Sequence, residues 1–498
     1  MGILCSFLLV ITVQTRLAMP APPQGRPPVP ASIQILGPVP SDHRLHVGSI
    51  ALTYTATFEE KELKDAQGKP TATISATSYV RKDVADLRAR PVLFAFNGGP
   101  GASSTPLHFE AFGPRRIIES ADGSRSLADN PHTLLADTDL VFIDPVGTGF
   151  TRILPGGSGA PYWSIDGDAA AVLELIRGWL REHARTQSPL FIAGESYGGF
   201  RLATMLKQAD DLKITGLVMI SPMLNPSASV EAPGNDLPYV FSLPAMAVAA
   251  WQHGKAERNG RTIAEQFGAA ARFAQTDYLI SLQQGSLLKS GERERVAAEM
   301  SALVGLPPKY IADANLRISD DAFVTELLKD RNLVLGRLDT RIAAPPPAQV
   351  PKNRPAAAND PSLGLGMTNV IKNDVAKRYF QSELRVPTDR DYVSLSLDLN
   401  FKWNWRQEQK PWHPSFYTNA TPNIADYMKK HSETRMLVVG GYFDLAVPVL
   451  SSRYAVDHSE IPLDRVTFAV FESGHSTFSG DAALSRMNQV MHLFLFGK

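Results

Sequence analysis

The stretch PLFIAGESYGGFRLATML, residues 189 to 206, decides the fold. Its first half is an unbroken apolar run of strand length, and its second half carries apolar residues at helical spacing. Between them Gly194-Glu195-Ser196-Tyr197-Gly198 matches G-x-S-x-G. A strand that turns this sharply into a helix holds the serine in a strained backbone conformation, and glycine at the flanking positions lets the chains approach closely. The Ser196 hydroxyl is then expected at the carboxyl edge of a sheet, beside a helix N-terminus whose dipole favours developing negative charge.

Outward from this point the same texture repeats. PVLFAF (91–96), DLVFID (139–144) and GLVMIS (216–221) are short apolar runs bounded by turn residues, as expected for parallel strands buried on both faces. VGSIALTYTATF (47–58) and TATISATSYV (71–80) alternate with period two and predict an antiparallel opening. SIDGDAAAVLELIRGWLREH (164–183) predicts a helix with Ser164 or Asp166 as N-cap and Leu173, Ile176 and Leu180 on one face. The pattern resumes after residue 430 with RMLVVGG (435–441), RVTFAVF (465–471) and a terminal helix over 482–496. The fold class is α/β, a mostly parallel doubly wound sheet interrupted once. The domain reading is a core over 43–225, a mainly helical cap insertion over 226–395 with a Pro-rich loop at 343–361, and the rest of the core over 396–498; the insertion also reads as an independent domain.

Composition narrows the function. The chain has 498 residues, 50 Lys and Arg against 50 Asp and Glu, and 44% hydrophobic residues. A balanced charge offers no basic face for a phosphate backbone, so no nucleic-acid partner is expected. The single cysteine, Cys5, leaves no intrachain disulfide and no cysteine-based metal site. It lies in an apolar run, residues 2–13, too short to span a membrane and of the length of a signal-peptide core. Residues 1–18 therefore read as a signal peptide of an exported protein without a stable membrane anchor, and 19–42 as a Pro-rich linker, the folded domain starting near His43.

A serine nucleophile needs a base, and the base an orienting acid. In α/β hydrolases the chain order is Ser, then Asp or Glu, then His. VVGGYFDLAVP puts Asp444 just past one late strand, and VFESGHSTF puts His475 just past the next. His431, His458 and His492 lie before strands or within the terminal helix and read as surface or packing residues. In LFAFNGGPGASS, Asn97, Gly98 and Gly99 follow an early strand, where backbone N–H groups can face the nucleophile; the Tyr197 N–H supplies a second donor. The segment also reads as a plain glycine-rich turn. It lacks the lysine of a phosphate loop.

FNGGPGASS, IDPVGTGFTR, GESYGG, GYFDLAVP and ESGHSTF, in this order, resemble the serine carboxypeptidase family, in its bacterial branch. The resemblance implies an α/β-hydrolase fold, no cofactor, and removal of single residues from peptides with a free C-terminus through an acyl-enzyme. It implies Ser196 as nucleophile, His475 as general base, Asp444 as its orienting carboxylate, and Gly99 and Tyr197 as oxyanion donors. It implies Asn97, Gly98 and Glu195 at the substrate's terminal carboxylate, with Glu110 sharing a hydrogen bond with Glu195. A carboxylate bonds to Glu195 only if Glu195 is protonated, so peptide hydrolysis is expected to favour mildly acidic solution. Two positions depart from the family pattern: Ala102 stands where many members have cysteine, and Ser476 where many have methionine. The same machinery also serves an esterase, aminopeptidase or acyltransferase, and the scaffold a non-catalytic binding protein.

Overall fold

The computed structural model describes residues 35–120, 122–349, 359–366, 368–406 and 417–497. Residues 1–34, with Cys5, the signal-peptide reading and most of the Pro-rich linker, lie outside the described residues, as do 350–358 of the Pro-rich loop. Among the described residues nine strands form one sheet: β1 (Val39–Val47), β2 (Ile50–Lys64), β3 (Pro70–Arg81), β4 (Val92–Phe96), β5 (Asp139–Asp144), β6 (Leu190–Glu195), β7 (Ile214–Ile220), β8 (Arg435–Gly441) and β9 (Val466–Phe471). Their spatial order is β1-β2-β3-β5-β4-β6-β7-β8-β9. The opening strands pair antiparallel up to β3–β5, and the remaining pairs are parallel. This is the α/β-hydrolase fold. The sheet starts earlier than His43: β1 runs from Val39 and pairs with β2 from Val39↔Phe58 onward. Its sequence, VPSDHRLHV, carries too few apolar residues to signal a strand, because β1 is an edge strand largely open to solvent.

Side-chain alternation builds two cores from one sheet. Val92, Phe94 and Phe96 of β4 face α1 (Ile165–Glu182) and α2 (Tyr197–Met205), where Phe94 meets Trp179 edge to face. Leu93 and Ala95 face the other way, toward Tyr379, Phe380, Met487 and Met491. Ser164 caps α1, its Oγ accepting the Gly167 N–H at 3.3 Å, and Leu173, Ile176 and Leu180 are buried as the spacing predicts. Among the described residues no helix is long and apolar enough to cross a membrane.

Packing divides the stretch 226–395. Helices Leu237–Gln252, Ile263–Phe273 and Ser290–Val304 form their own apolar cluster, which also takes in Leu445, the neighbour of Asp444. Helix Asp374–Ser382 instead joins the core of the sheet, with Phe380 edge to face on Phe58 and Phe150. Leu395 bridges to Ala102 and Val393 to Gly149, so this later segment is tied to loops at the carboxyl ends of β4 and β5.

Candidate active site

Sheet order places the site. β5 lies on one side of β4 and β6 on the other, so consecutive connections diverge at β4, the position where open α/β sheets bind ligands beyond their carboxyl ends. Asn97, Ser196, Asp444 and His475 each follow the carboxyl end of β4, β6, β8 and β9.

Ser196 has φ +61° and ψ −127°, a conformation costly for any residue with a side chain and held here by its surroundings. Its N–H donates to Ile220 O at 2.9 Å, and its C=O accepts from Gly199 N at 3.0 Å and Met223 N at 3.1 Å. A side chain at Gly194 would collide with the carbonyl of Gly198 across the turn, which is why glycine stands there. Ser196 is the half-exposed residue between buried Glu195 and buried Tyr197, and among the described residues its Oγ makes no hydrogen bond.

His475 Nδ1 lies 2.7 Å from Asp444 Oδ2. Asp444 is fully buried, and its other oxygen accepts the Val447 N–H at 2.9 Å. An ionised carboxylate only accepts, so His475 Nδ1 carries the proton and Nε2 is left as the basic nitrogen. Burial pulls the His475 pKa down, but the adjacent Asp444 carboxylate outweighs it and the net shift is upward. The loop is fixed from both sides: His475 N–H donates to Leu338 O at 2.7 Å, and its C=O accepts from Ser221 Oγ at 2.7 Å. Ser221 itself has φ +42° and extends the strand pairing to Val439 O. The other late histidines are held elsewhere: His431 stacks on Tyr427, His458 on Tyr454, and His492 meets Asp137.

The Asn97–Gly99 loop lies against the elbow. A Cβ on Gly98 would sit on the Tyr197 amide nitrogen and 2.5 Å from Gly198 N, so only glycine fits. Gly99 has φ +98°, and neither its N–H nor that of Tyr197 has a partner among the described residues. Asn97 is buried; its Oδ1 accepts from Leu107 N–H at 3.2 Å and its Nδ2 donates to Glu195 Oε2. The Glu195 carboxyl is almost wholly buried, and burial raises its pKa to about 7; His475 opposes that rise and Glu110 adds to it. Glu110, on the helical turn Leu107–Phe112, is also raised by burial. The hydrogen bond expected between Glu110 and Glu195 is not formed among the described residues: Glu195 Oε2 is taken by Asn97 and Oε1 lies 3.2 Å from Ser476 Oγ.

Sequence reasoning missed two supporting residues, Ser221 and Arg201, and noted Ser476 only as a departure from the family pattern, not as a partner of Glu195. Arg201, five residues past Ser196 on α2, is 1% exposed; it donates to the Asn97 carbonyl at 2.6 Å and to Asp168 Oδ2 of α1 at 2.6 Å. Its guanidinium also lies over the rings of Phe96 and Tyr197 at 5.3 and 5.4 Å. A charge inside an otherwise apolar helix was the available signal.

The family model of serine carboxypeptidases matches residues 79–267, which hold Asn97, Gly98, Gly99, Glu110, Glu195, Ser196 and Tyr197 but neither Asp444 nor His475. Serine carboxypeptidase-like 36 of Arabidopsis thaliana is 30% identical over 146 residues, 27% of this chain and 29% of that protein. Carboxypeptidase Y homolog A of Sclerotinia sclerotiorum is 35% identical over 115 residues, 23% of this chain and 20% of that protein. The aligned stretch thus spans less than a third of either relative. Among solved structures, Kex1(delta)p, a prohormone-processing carboxypeptidase from Saccharomyces cerevisiae, superposes with a TM-score of 0.54 over 88% of this chain and 90% of that one, at 12% identity, a likeness of fold. Residues 79–267 are thus similar to the serine carboxypeptidase family, and curated serine carboxypeptidases match about a quarter of this chain.

Proposed function

We propose that the protein is a serine-type carboxypeptidase that releases C-terminal residues from peptides through an acyl-enzyme. The observation that carries this reading is the buried Asn97–Glu195 pair directly before Ser196, a polar couple suited to bind one carboxylate next to the nucleophile. Ser196 Oγ attacks the last peptide carbonyl while His475 Nε2 takes its proton, and Asp444 steadies the imidazolium so formed. The N–H groups of Gly99 and Tyr197 receive the negative charge on the carbonyl oxygen. Collapse breaks the C–N bond, His475 passes its proton to the departing amine, and a free amino acid leaves. Water, deprotonated by the same histidine, then attacks the ester, returning Ser196 and the shortened peptide.

Neutral Glu195 can donate a hydrogen bond to the substrate carboxylate; ionised Glu195 repels it. With its pKa near 7, the binding form is lost as pH rises through about 7. The base form of His475, whose pKa is raised, is lost as pH falls. For an N-blocked dipeptide, kcat/KM should therefore fall on both sides of a maximum. The matching amide and ester lack the free carboxylate and should keep the acid limb and lose the one near 7. Release of the C-terminal residue by wild type and not by Ser196→Ala supports the reading. Ester cleavage without peptide cleavage, or superimposable pH profiles for peptide and ester, overturns it.

Gly98→Ala offers a second check. The new methyl group must push Tyr197 N–H or the loop aside, so ester kcat/KM is expected to fall by about two orders of magnitude or more, the usual effect of losing one oxyanion donor. A fold intact by circular dichroism with activity within fivefold of wild type would remove Tyr197 N–H from the mechanism.

A further inference from the structure

Ser476, next to His475, contacts the other oxygen of Glu195, and the two carboxyl oxygens meet unequal partners. Asn97 Oδ1 is occupied by the Leu107 N–H, which turns its Nδ2 toward Glu195 Oε2. An amide nitrogen only donates, so Oε2 is committed as an acceptor. Ser476 Oγ, 3.2 Å from Oε1, can donate or accept. The proton of neutral Glu195 therefore belongs on Oε1, facing the hydroxyl. In the free enzyme Ser476 accepts from neutral Glu195, a bond that the substrate carboxylate takes over on binding; when Glu195 is ionised Ser476 donates to it. A hydrogen bond to a carboxylate is the stronger of the two, so the hydroxyl favours the ionised form. The titratable groups that face Glu195 are His475, from the same loop as Ser476, and Glu110, from the turn Leu107–Phe112; Asn97 and Ser476 are neutral.

We propose that Ser476 is a positioning residue that holds the proton-bearing oxygen of Glu195 and sets the pH at which this carboxyl ionises, so that the loop carrying the base also governs the carboxylate-binding group. The inference rests on the reading of Glu195 as the group that meets the substrate's terminus. It gives a consequence specific to this chain: a side chain without a hydroxyl at 476 leaves Glu195 protonated to higher pH and moves peptide hydrolysis toward alkaline solution.

The test compares wild type, Ser476→Ala and Ser476→Thr. Side-chain carboxyl resonances of ¹³C-labelled glutamate are titrated, with that of Glu195 assigned by its loss in Glu195→Gln. One hydrogen bond's worth of stabilisation corresponds to an upward shift of about half to one pH unit in Ser476→Ala, and Ser476→Thr should return the midpoint to that of wild type. The alkaline limb of dipeptide kcat/KM should move by the same amount, while the pH midpoint for the corresponding amide stays in place. An unmoved or lowered Glu195 midpoint in Ser476→Ala overturns the proposal, as does a shift shared by the amide, which would mean that the substitution acts on His475. If wild type releases no C-terminal residue, the carboxypeptidase reading fails, and the resonance titration still decides the role of Ser476.

Discussion

Ser196→Ala is expected to lower kcat for peptide and ester alike by about six orders of magnitude, and His475→Ala by a similar factor, with the double variant no worse than either. The non-additivity follows from the chemistry: a base without a nucleophile, or a nucleophile without a base, performs no step of the acyl transfer. Asp444→Asn is expected to lose about 10⁴ for a different reason. Asp444 Oδ1 accepts the Val447 N–H, so an asparagine must keep its oxygen there and turn its amide nitrogen toward His475 Nδ1. Two donors cannot face each other, and the imidazole must move its proton to Nε2, the nitrogen that has to accept from Ser196. Covalent labelling by a fluorophosphonate should vanish in Ser196→Ala and slow sharply in the other two, with thermal unfolding of all three close to wild type. Ser196 Oγ makes no hydrogen bond among the described residues, and the contact with His475 is expected to tighten only with substrate bound. A Ser196→Ala enzyme within tenfold of wild type would remove Ser196 from the reaction.

Much of this site was legible because its chemistry is local. The elbow is written in five consecutive residues, and Gly194 and Gly98 stand where any Cβ would strike backbone. Chain order singled out Asp444 and His475 as candidates, since each follows a strand that reads as an apolar run, and the fold brings their side chains together. What escaped is what the fold brings together across long separations. Ser221 reaches the His475 carbonyl over 254 residues, and Ser476 reaches Glu195 over 281. Each is a small polar residue with no pattern of its own. β1 escaped because its inward positions include Ser41 and His43, which blunts the apolar alternation. The Glu110–Glu195 bond was anticipated from resemblance, and the structure gives the Glu195 oxygens to Asn97 and Ser476 instead.

The second large effect is expected away from the reacting atoms. Arg201→Met should destabilise the protein by about 3–5 kcal/mol at pH 8, because Asp168 would be left buried and unpaired. Even with Arg201 beside it, burial holds the Asp168 pKa above the usual carboxylate value, so desolvation already exceeds the attraction. Without the guanidinium the carboxyl must be protonated to remain inside. The folded form then retains a proton that the unfolded chain releases above about pH 3.9, and stability falls as pH rises through that range toward the raised folded pKa. The loss measured by urea unfolding should therefore be smaller at pH 5 than at pH 8. Replacing both partners, Arg201→Met with Asp168→Leu, should recover most of the stability, since a buried ion pair is worth little against apolar groups of similar volume. Activity should not return with it. Arg201 also donates to the Asn97 carbonyl, tying the loop that carries Asn97, Gly98 and Gly99 to the helix that starts at Tyr197. A stable double variant with a weakened response to the substrate carboxylate would separate the two duties of one arginine. A single variant that loses under 1 kcal/mol, or equally at both pH values, would show that water reaches Asp168 and that the pair is no anchor.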